Sequence, residues 1–194
     1  MFKTTLTIVM AALCLNLSSK ATAQTSKQNP RKIRPLKIGD KIPDTMWNKQ
    51  FRVINHPEGK ETISLKDYRN KFIILDFWAT YCHPCVESLD HLDSIKDDFN
   101  GQLVVLPVQV YDGPVRGIPF MKKKGWSWPS ITRDTLINKV LLINFLSGFG
   151  IACINNGKLI AVPTKEQLTK ANIARVIAGK RVKFQNRINK TLKR

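Results

Sequence analysis

Residues 71–85 read KFIILDFWATYCHPC, and this stretch decides the expected fold. Its first eight residues are apolar except for Lys71 and Asp76, and such a run of branched and aromatic side chains is typical of a strand buried in a sheet. Apolar residues then recur about every third position over residues 82–99, which predicts a helix that stops at Gly101. The stretch therefore places a pair of cysteines between a buried strand and the start of a helix.

The segments around this unit complete an α/β pattern. Asn155-Asn156-Gly157 lies between two short apolar runs, at residues 151–154 and 158–162, and predicts a β-hairpin. Thr164 and Gln167 have the spacing of a capping box and are expected to open a last helix that ends at Gly179. The order of elements predicts an α/β domain with a central mixed β-sheet flanked by helices. The other predicted elements are strands at 51–54 and 103–110, a capped turn at 64–68, a helix at 114–124, and a loop or short strand at 126–129.

The chemistry is expected at Cys82-His83-Pro84-Cys85. A helix N-terminus offers unpaired N–H groups and the positive end of the helix dipole, and both stabilise a thiolate at Cys82, which should be the more exposed cysteine. The spacing predicts Cys82 as the nucleophile that attacks a partner disulfide and Cys85 as the residue that resolves the mixed disulfide. Pro84 stiffens the first helical turn, and positive charge on His83 favours the thiolate, so both are expected to tune the redox properties of the pair.

Other uses of a close cysteine pair fit the sequence less well. Zinc needs four ligands, and His56, His83 and His91 supply no second ligand pair. Haem attachment needs a histidine directly after the second cysteine, where Val86 stands. We therefore expect neither a metal nor a cofactor, while an inert structural disulfide stays open.

The segment DFWATYCHPC at residues 76–85 resembles the active-site segment of thioredoxins, specifically the exported TlpA/ResA-type branch. LKIGDKIPD at residues 36–44 is similar to the beginning of the domain in that branch, so the resemblance covers about residues 36–179. It implies a thioredoxin-like fold and a thiol:disulfide oxidoreductase that acts on protein thiols and disulfides. It also implies a reductase that is itself reduced by a membrane-linked electron donor. Asp76 falls where the family keeps a buried carboxylate beneath the second cysteine, which implies proton exchange with Cys85.

Two features depart from the family pattern. Thioredoxin-like folds usually place a cis-proline opposite the cysteine pair, but no proline occurs between Pro129 and Pro163, so Gly148 or Phe149 is expected in that substrate-facing loop. The acid expected three residues after the second cysteine is replaced by Ser88, with Glu87 one residue early.

The remaining cysteine and the tryptophans are expected to be structural. Cys153 lies in an apolar strand and is predicted to be a buried small hydrophobe, with a resolving or regulatory thiol as the minority interpretation. Trp78 and Tyr81 are predicted to pack around the site. Trp126 and Trp128 are predicted to be anchors in the core or a loop.

The N-terminus has the pattern of a secretory signal. A basic start at Lys3 precedes an apolar run too short to span a membrane, and Ala21 and Ala23 are the small residues expected before a cleavage site. The predicted organisation is a signal peptide at 1–23, a flexible basic leader at 24–37, the domain at 38–179 and a basic tail at 180–194. We expect an exported, periplasmic protein; lipid attachment at Cys14 is disfavoured by the bulky residue before it.

The charge is lopsided. The net charge is +18, and residues 121–194 contain 16 Lys or Arg but only two acids, Asp134 and Glu166. Such a surface would attract an anionic partner, although a solvated basic face with a frayed tail is the simpler interpretation. Nucleic-acid binding is not expected, because residues 179–194 offer only Phe184 for stacking.

Two other functions remain as alternatives to the oxidoreductase. One is a thioredoxin-fold binding or assembly module with weak or lost turnover, which the missing proline and the basic last third would suit. The other is a thiol peroxidase, in which Cys82 would form a sulfenic acid that Cys85 resolves.

Overall fold

A computed structural model describes residues 34–134, 136–142 and 148–187. The seven strands are β1 (Gln50–Ile54), β2 (Thr62–Ser64), β3 (Phe72–Trp78), β4 (Leu103–Gln109), β5 (Ser130–Thr132), β6 (Gly150–Asn155) and β7 (Lys158–Ala161). The helices are α1 (Asp44–Trp47), α2 (His83–Ile95), α3 (Pro114–Lys124), α4 (Leu136–Leu141) and α5 (Lys170–Ile177), with 3-10 turns at Leu65–Tyr68, Lys96–Phe99 and Lys165–Gln167. The predicted signal peptide, and the leader as far as residue 33, lie outside the described residues.

The strands form one mixed sheet in the order β2-β1-β5-β4-β3-β6-β7. The strand predicted from residues 71–85 is β3, and all seven of its residues are buried. It pairs in parallel with β4 and antiparallel with β6. The central mixed sheet flanked by helices is therefore confirmed, and the cysteine pair follows β3, an interior strand of that sheet.

The side chains of alternate residues of β3 pack into two different hydrophobic layers, one on each face of the sheet. Ile73, Leu75 and Phe77 belong to the layer that also holds Trp47 and residues of α4. Ile74 and Trp78 belong to the other layer, which is covered by α2, α3 and α5. Asp76 shares this second face, because side chains of a strand alternate between its two faces. The cysteines lie over the same layer.

The shorter elements are where the structure adds most to the sequence predictions. The strand after α3 begins at Ser130, so residues 126–129 are a connection, in which the carbonyls of Trp126 and Trp128 accept hydrogen bonds from Asn55 Nδ2. The short elements β2, α1 and α4 were not predicted. The helix over residues 82–99 is confirmed as α2, which is followed by a 3-10 turn.

The capping box at Thr164 and Gln167 does not open the last helix. Gln167 Oε1 accepts the Thr164 N–H at 3.3 Å, but the residues between them form only a short 3-10 turn. Leu168 then leaves the helical conformation, at φ −87° and ψ 51°, and buries its side chain. The helix begins at Lys170, and its N-cap is Thr169, whose hydroxyl accepts the Asn172 N–H at 3.2 Å. The helix therefore begins five positions later than predicted from the sequence, at an N-cap of Thr169 instead of Thr164, since that prediction used the first capping signal in the chain.

Within the described part of the chain, no helix is both long enough and apolar enough to cross a membrane.

Candidate active site

Cys82 and Cys85 are joined by a disulfide, with their Cα atoms 5.3 Å apart. Cys82 is the N-cap of α2, and its carbonyl accepts the N–H groups of Cys85 and Val86, each at 3.0 Å. Pro84 lies in the first turn, where it has no N–H to leave unpaired. The exposed fractions are 9% for Cys82 and 7% for Cys85, so both residues are buried and Cys82 is only slightly the more exposed. Their position at the helix N-terminus is the one that stabilises a thiolate after reduction.

His83 lies beside the pair and points to solvent, with its side chain 84% exposed. Its Nδ1 is 3.3 Å from Glu87 Oε1, one helical turn further on. Glu87 also pairs with Lys165, which is the main cause of a lowered pKa of its carboxyl group. Glu87 is therefore an exposed ion-pair residue, and a charged His83 would be partly balanced by it.

Asp76 is buried beneath α2 and has one hydrogen-bond partner among the described side chains. Ser88 Oγ donates to Asp76 Oδ2 at 2.6 Å. Burial raises the pKa of Asp76 from 3.8 to about 7, while the Ser88 hydrogen bond acts in the lowering direction. Cys85 and Ser88 are buried residues of the same helix, one turn apart. Ser88, which stands where an acid was expected, thus connects the carboxyl group to the helix face that carries Cys85.

Three aromatic rings from separate loops form an exposed patch beside the pair, here called the aromatic patch: Tyr81, Tyr111 and Phe149. Phe149 lies 6.2 Å from Tyr81 and 5.3 Å from Tyr111 between ring centroids. Tyr81 is 61% exposed and Tyr111 is 72% exposed, which is unusual for large aromatic side chains. Phe149 packs against the same hydrophobic layer as both cysteines. The patch therefore offers apolar contact area next to the disulfide.

The loop that carries Gly148 and Phe149 is shaped by glycine. Gly148 has φ +103°, and a Cβ atom there would overlap the side chain of Tyr111. Its carbonyl accepts a hydrogen bond from Asn138 Nδ2 at 2.8 Å. Tyr111 has φ +67°, a backbone conformation that non-glycine residues adopt at a cost. Phe149 is part of the aromatic patch and Gly148 lies against its Tyr111, while residues 143–147 are outside the described part. That one of the two takes the place of the cis-proline stays a prediction.

Asp112 fixes the loop that leads into the cysteine pair. Its Oδ2 accepts the Thr80 N–H at 2.8 Å and the Thr80 hydroxyl at 2.6 Å. Gln109 Nε2, which is buried at the end of β4, donates to the other carboxylate oxygen at 3.0 Å. Tyr111 and Asp112 were missed in the sequence, because Phe149 and Thr80, which they contact, are distant in the chain. Gln109 was missed too, because no local pattern marks its hydrogen bond with Asp112, three positions away.

The other predicted residues lie as follows. Trp78 is buried, and its Nε1 donates to Ser130 Oγ at 3.0 Å, while Trp126 and Trp128 are buried in the same layer. Cys153 is a buried free cysteine whose thiol pKa is raised by burial and, to a smaller extent, by Asp76. The described residues contain no cluster of three or more His, Cys, Asp or Glu side chains that could hold a metal ion.

The model of the AhpC/TSA family matches residues 38–145. The thiol-disulfide oxidoreductase ResA of Halalkalibacterium halodurans is 29% identical over 100 residues, which are 51% of this chain and 52% of that protein. ResA of Geobacillus thermodenitrificans is 29% identical over 104 residues, which are 52% of this chain and 55% of that protein. The chain thus spans about half the length of these curated relatives.

Solved structures are similar in fold. The thioredoxin domain of a thiol-disulfide oxidoreductase from Bacteroides vulgatus has a TM-score of 0.55 at 14% identity and covers 74% of this chain and 97% of its own. A mutant of PrxQ from Xylella fastidiosa has a TM-score of 0.57 at 17% identity and covers 75% of this chain and 96% of its own. These likenesses confirm the predicted thioredoxin-like fold.

Proposed function

The chain belongs to the AhpC/TSA family, and on this premise we propose that it is an exported thiol:disulfide oxidoreductase that reduces protein disulfides through Cys82 and Cys85. The observation that carries the proposal is the Cys82–Cys85 disulfide at the N-terminus of α2, the helix whose Ser88 also hydrogen-bonds a buried carboxyl group, that of Asp76. A structural disulfide needs neither the helix N-terminus nor a buried acid beneath it. The relatives named as thiol-disulfide oxidoreductases add support.

The first half of the reaction belongs to Cys82. In the reduced protein its thiolate, stabilised by the N-terminus of α2, attacks one sulfur of the substrate disulfide. An S–S bond forms between Cys82 and the substrate, the substrate S–S bond breaks, and the second substrate sulfur leaves as a thiolate that takes a proton from solvent. The aromatic patch beside Cys82 provides the apolar contact area on which an unfolded or extended polypeptide would rest.

The second half belongs to Cys85 and Asp76. Cys85 must lose its proton before its sulfur can attack Cys82, and the buried carboxylate of Asp76 accepts that proton, with Ser88 fixing its position. The new bond between Cys82 and Cys85 releases the substrate as a second thiolate. The substrate has gained two electrons and the protein has become the disulfide form. A pKa of about 7 for Asp76 makes this carboxyl group suited to both release and uptake of the proton near neutral pH.

The proposal includes the setting of the reaction. The protein is exported to the periplasm after cleavage before Gln24, and a membrane-linked electron donor returns Cys82 and Cys85 to the dithiol. The basic last third attracts anionic surfaces. N-terminal sequencing of the protein recovered from the periplasm of a producing bacterium tests export: a start at Gln24 supports it, and an intact N-terminus in the cytoplasm contradicts it.

Turnover assays test the activity. The purified protein is given a dithiol as electron donor and either insulin or hydrogen peroxide as electron acceptor. We expect insulin reduction that Cys82→Ser abolishes, with slow peroxide consumption. Rapid peroxide consumption without insulin reduction would identify a thiol peroxidase instead, and absence of both activities in a protein that retains its disulfide would identify a binding module.

A further inference from the structure

The chain after α5 does not leave the domain at once. Residues 181–187 read RVKFQNR, and exposed and half-buried side chains alternate strictly along them. Val182 and Phe184 pack against the hydrophobic layer that also holds α5 and the cysteine pair. Because a period of two residues is the mark of an extended chain with one face on the protein, we call residues 181–187 the C-terminal strap.

Hydrogen bonds fix the strap at the edge of the sheet. The Arg187 N–H donates to the carbonyl of Val162 at 2.9 Å, and the Val162 N–H donates to Asn186 Oδ1 at 2.8 Å. Val162 directly follows β7, the outermost strand on this side of the sheet. At the other end, the Lys180 N–H donates to the carbonyl of Arg175 in α5 at 2.8 Å. The strap is therefore anchored at both ends.

The outward positions of the strap carry cations. Arg181, Lys183 and Arg187 are exposed, and in the described part of the chain none of them forms an ion pair. Alternate residues of an extended chain are about 7 Å apart, so the backbone spaces these charges at about 7 and 13 Å. The pKa of the Glu166 carboxyl group is lowered, mainly by a hydrogen bond with Thr164 and to a small extent by the charge of Arg187.

The linear arrangement of these three exposed cations favours one class of partner. We propose that the C-terminal strap is an electrostatic docking edge for an anionic lipid surface. Its charges lie in a line on an outer edge, where mobile lipid headgroups can rearrange to match them, and each cation near such a surface adds to the attraction. The aromatic ring of the strap, Phe184, packs inward, so it is not available to stack on nucleic-acid bases.

The same number of cations elsewhere provides a matched control. Arg52 on β1 and Lys122 and Lys123 on α3 are also exposed, and the structure assigns them no ion pair within the described residues. β1 lies toward the other edge of the sheet, and α3 packs against it. A variant in which these three residues are glutamine loses the same charge as a variant in which Arg181, Lys183 and Arg187 are glutamine. Only the position of the lost charge differs.

The experiment measures sedimentation of the full-length protein with vesicles of phosphatidylglycerol and phosphatidylcholine, and with vesicles of phosphatidylcholine alone. We expect binding to the anionic vesicles only, weakened by salt because the Debye length falls from about 10 Å at 0.1 M to about 3 Å at 1 M. At about fivefold per cation, the strap variant should bind roughly 100-fold more weakly, while the control variant should lose much less.

Three results would overturn the proposal. Equal losses in the two variants would show that net charge, not the strap, governs binding. Absence of binding to anionic vesicles at low salt would remove the lipid partner. Retention by polyglutamate or duplex DNA, without vesicle binding, would assign the edge to a different class of partner. Circular dichroism and thermal unfolding of both variants exclude loss of the fold as the cause.

Discussion

The end of β3 and the C-terminal strap lie on the same hydrophobic layer but differ in every property that matters for function. The site after β3 has buried cysteines, a buried carboxyl group and exposed aromatic rings. The strap has three exposed cations and no reactive group. Burial shifts pKa values and positions atoms, whereas exposed charge acts at a distance and is screened by salt. We therefore expect chemistry to depend on the first region and association with surfaces on the second.

Substitution of the nucleophile Cys82 is expected to have the largest effect on turnover, and so to distinguish the two regions most clearly. Cys82→Ser should lower insulin reduction by on the order of a thousandfold or more, because it removes the proposed nucleophile at the N-cap of α2 and the cysteine outside the pair, Cys153, is buried. Cys153→Ser, a change at a buried free cysteine, is the matched control and should retain turnover. The steady-state rate with insulin and a dithiol measures both. Loss of turnover in Cys153→Ser with an intact fold would move the chemistry away from the Cys82–Cys85 pair.

Asp76→Asn tests whether the buried acid takes part in the chemistry. We expect turnover to fall by about 100-fold, the usual contribution of a positioned acid or base, and the inflection of the rate near pH 7 to disappear. The rate of mixed-disulfide formation by Cys82 should change much less, since Asp76 acts in the second half of the reaction. A variant whose pH profile keeps the inflection would assign it to another group.

The same substitution predicts the pH dependence of stability. Between pH 3.8 and about 7 the folded protein keeps a proton on Asp76 that the unfolded chain has released. The free energy of unfolding, relative to that of Asp76→Asn, is therefore highest below pH 3.8. It falls by about 4 kcal/mol as the pH rises toward 7. Urea unfolding of both proteins at several pH values measures this difference. A difference that is constant with pH would contradict the raised pKa.

Ser88→Ala tests whether the inflection of the rate near pH 7 belongs to Asp76. Removal of the hydroxyl removes the hydrogen bond that lowers the pKa of Asp76, so the inflection of the rate should move to higher pH while Cys82 reactivity is unchanged. Ser94→Ala, at an exposed serine of the same helix, is the control. An unchanged profile in Ser88→Ala would separate the inflection from this hydrogen bond.

The aromatic patch should affect substrates according to their size. Phe149→Ala is expected to raise KM for insulin about tenfold, the effect of losing about 1.4 kcal/mol of contact, with little change for a small disulfide such as hydroxyethyl disulfide. The strap variant should leave both values unchanged at moderate salt. Equal effects of Phe149→Ala on the two substrates would assign the ring to positioning of the cysteines instead.

Local patterns made the central part of this structure predictable. The apolar run of β3, the three-residue recurrence of α2 and the Asn155-Asn156-Gly157 turn each depend on neighbouring residues, and all three are confirmed. The capping box at Thr164 was misleading because two N-terminal signals follow each other within five residues. A 3-10 turn and an α-helix can begin with the same N-terminal capping signal, so that signal alone does not show which of the two follows.

Contacts between distant residues could not be predicted. The hydrogen bond from Ser88 to Asp76 spans 12 positions, and the Thr80–Asp112 bonds span 32. Such pairs are fixed by the packing of α2 and the end of β4 on the sheet, not by spacing in the sequence. The strap was also missed, because residues 181–187 were interpreted as part of a frayed basic tail, although Val182 and Phe184 pack on the domain.

The most direct test of the central claim traps the intermediate. Reduced Cys85→Ser protein is mixed with an oxidised protein substrate, and the adduct is digested without reductant and mapped by mass spectrometry. The account predicts a stable one-to-one mixed disulfide at Cys82, because the residue that would resolve it is absent. An adduct at Cys153, or no adduct from a folded protein with a free Cys82 thiol, would contradict the assignment of Cys82 as the nucleophile.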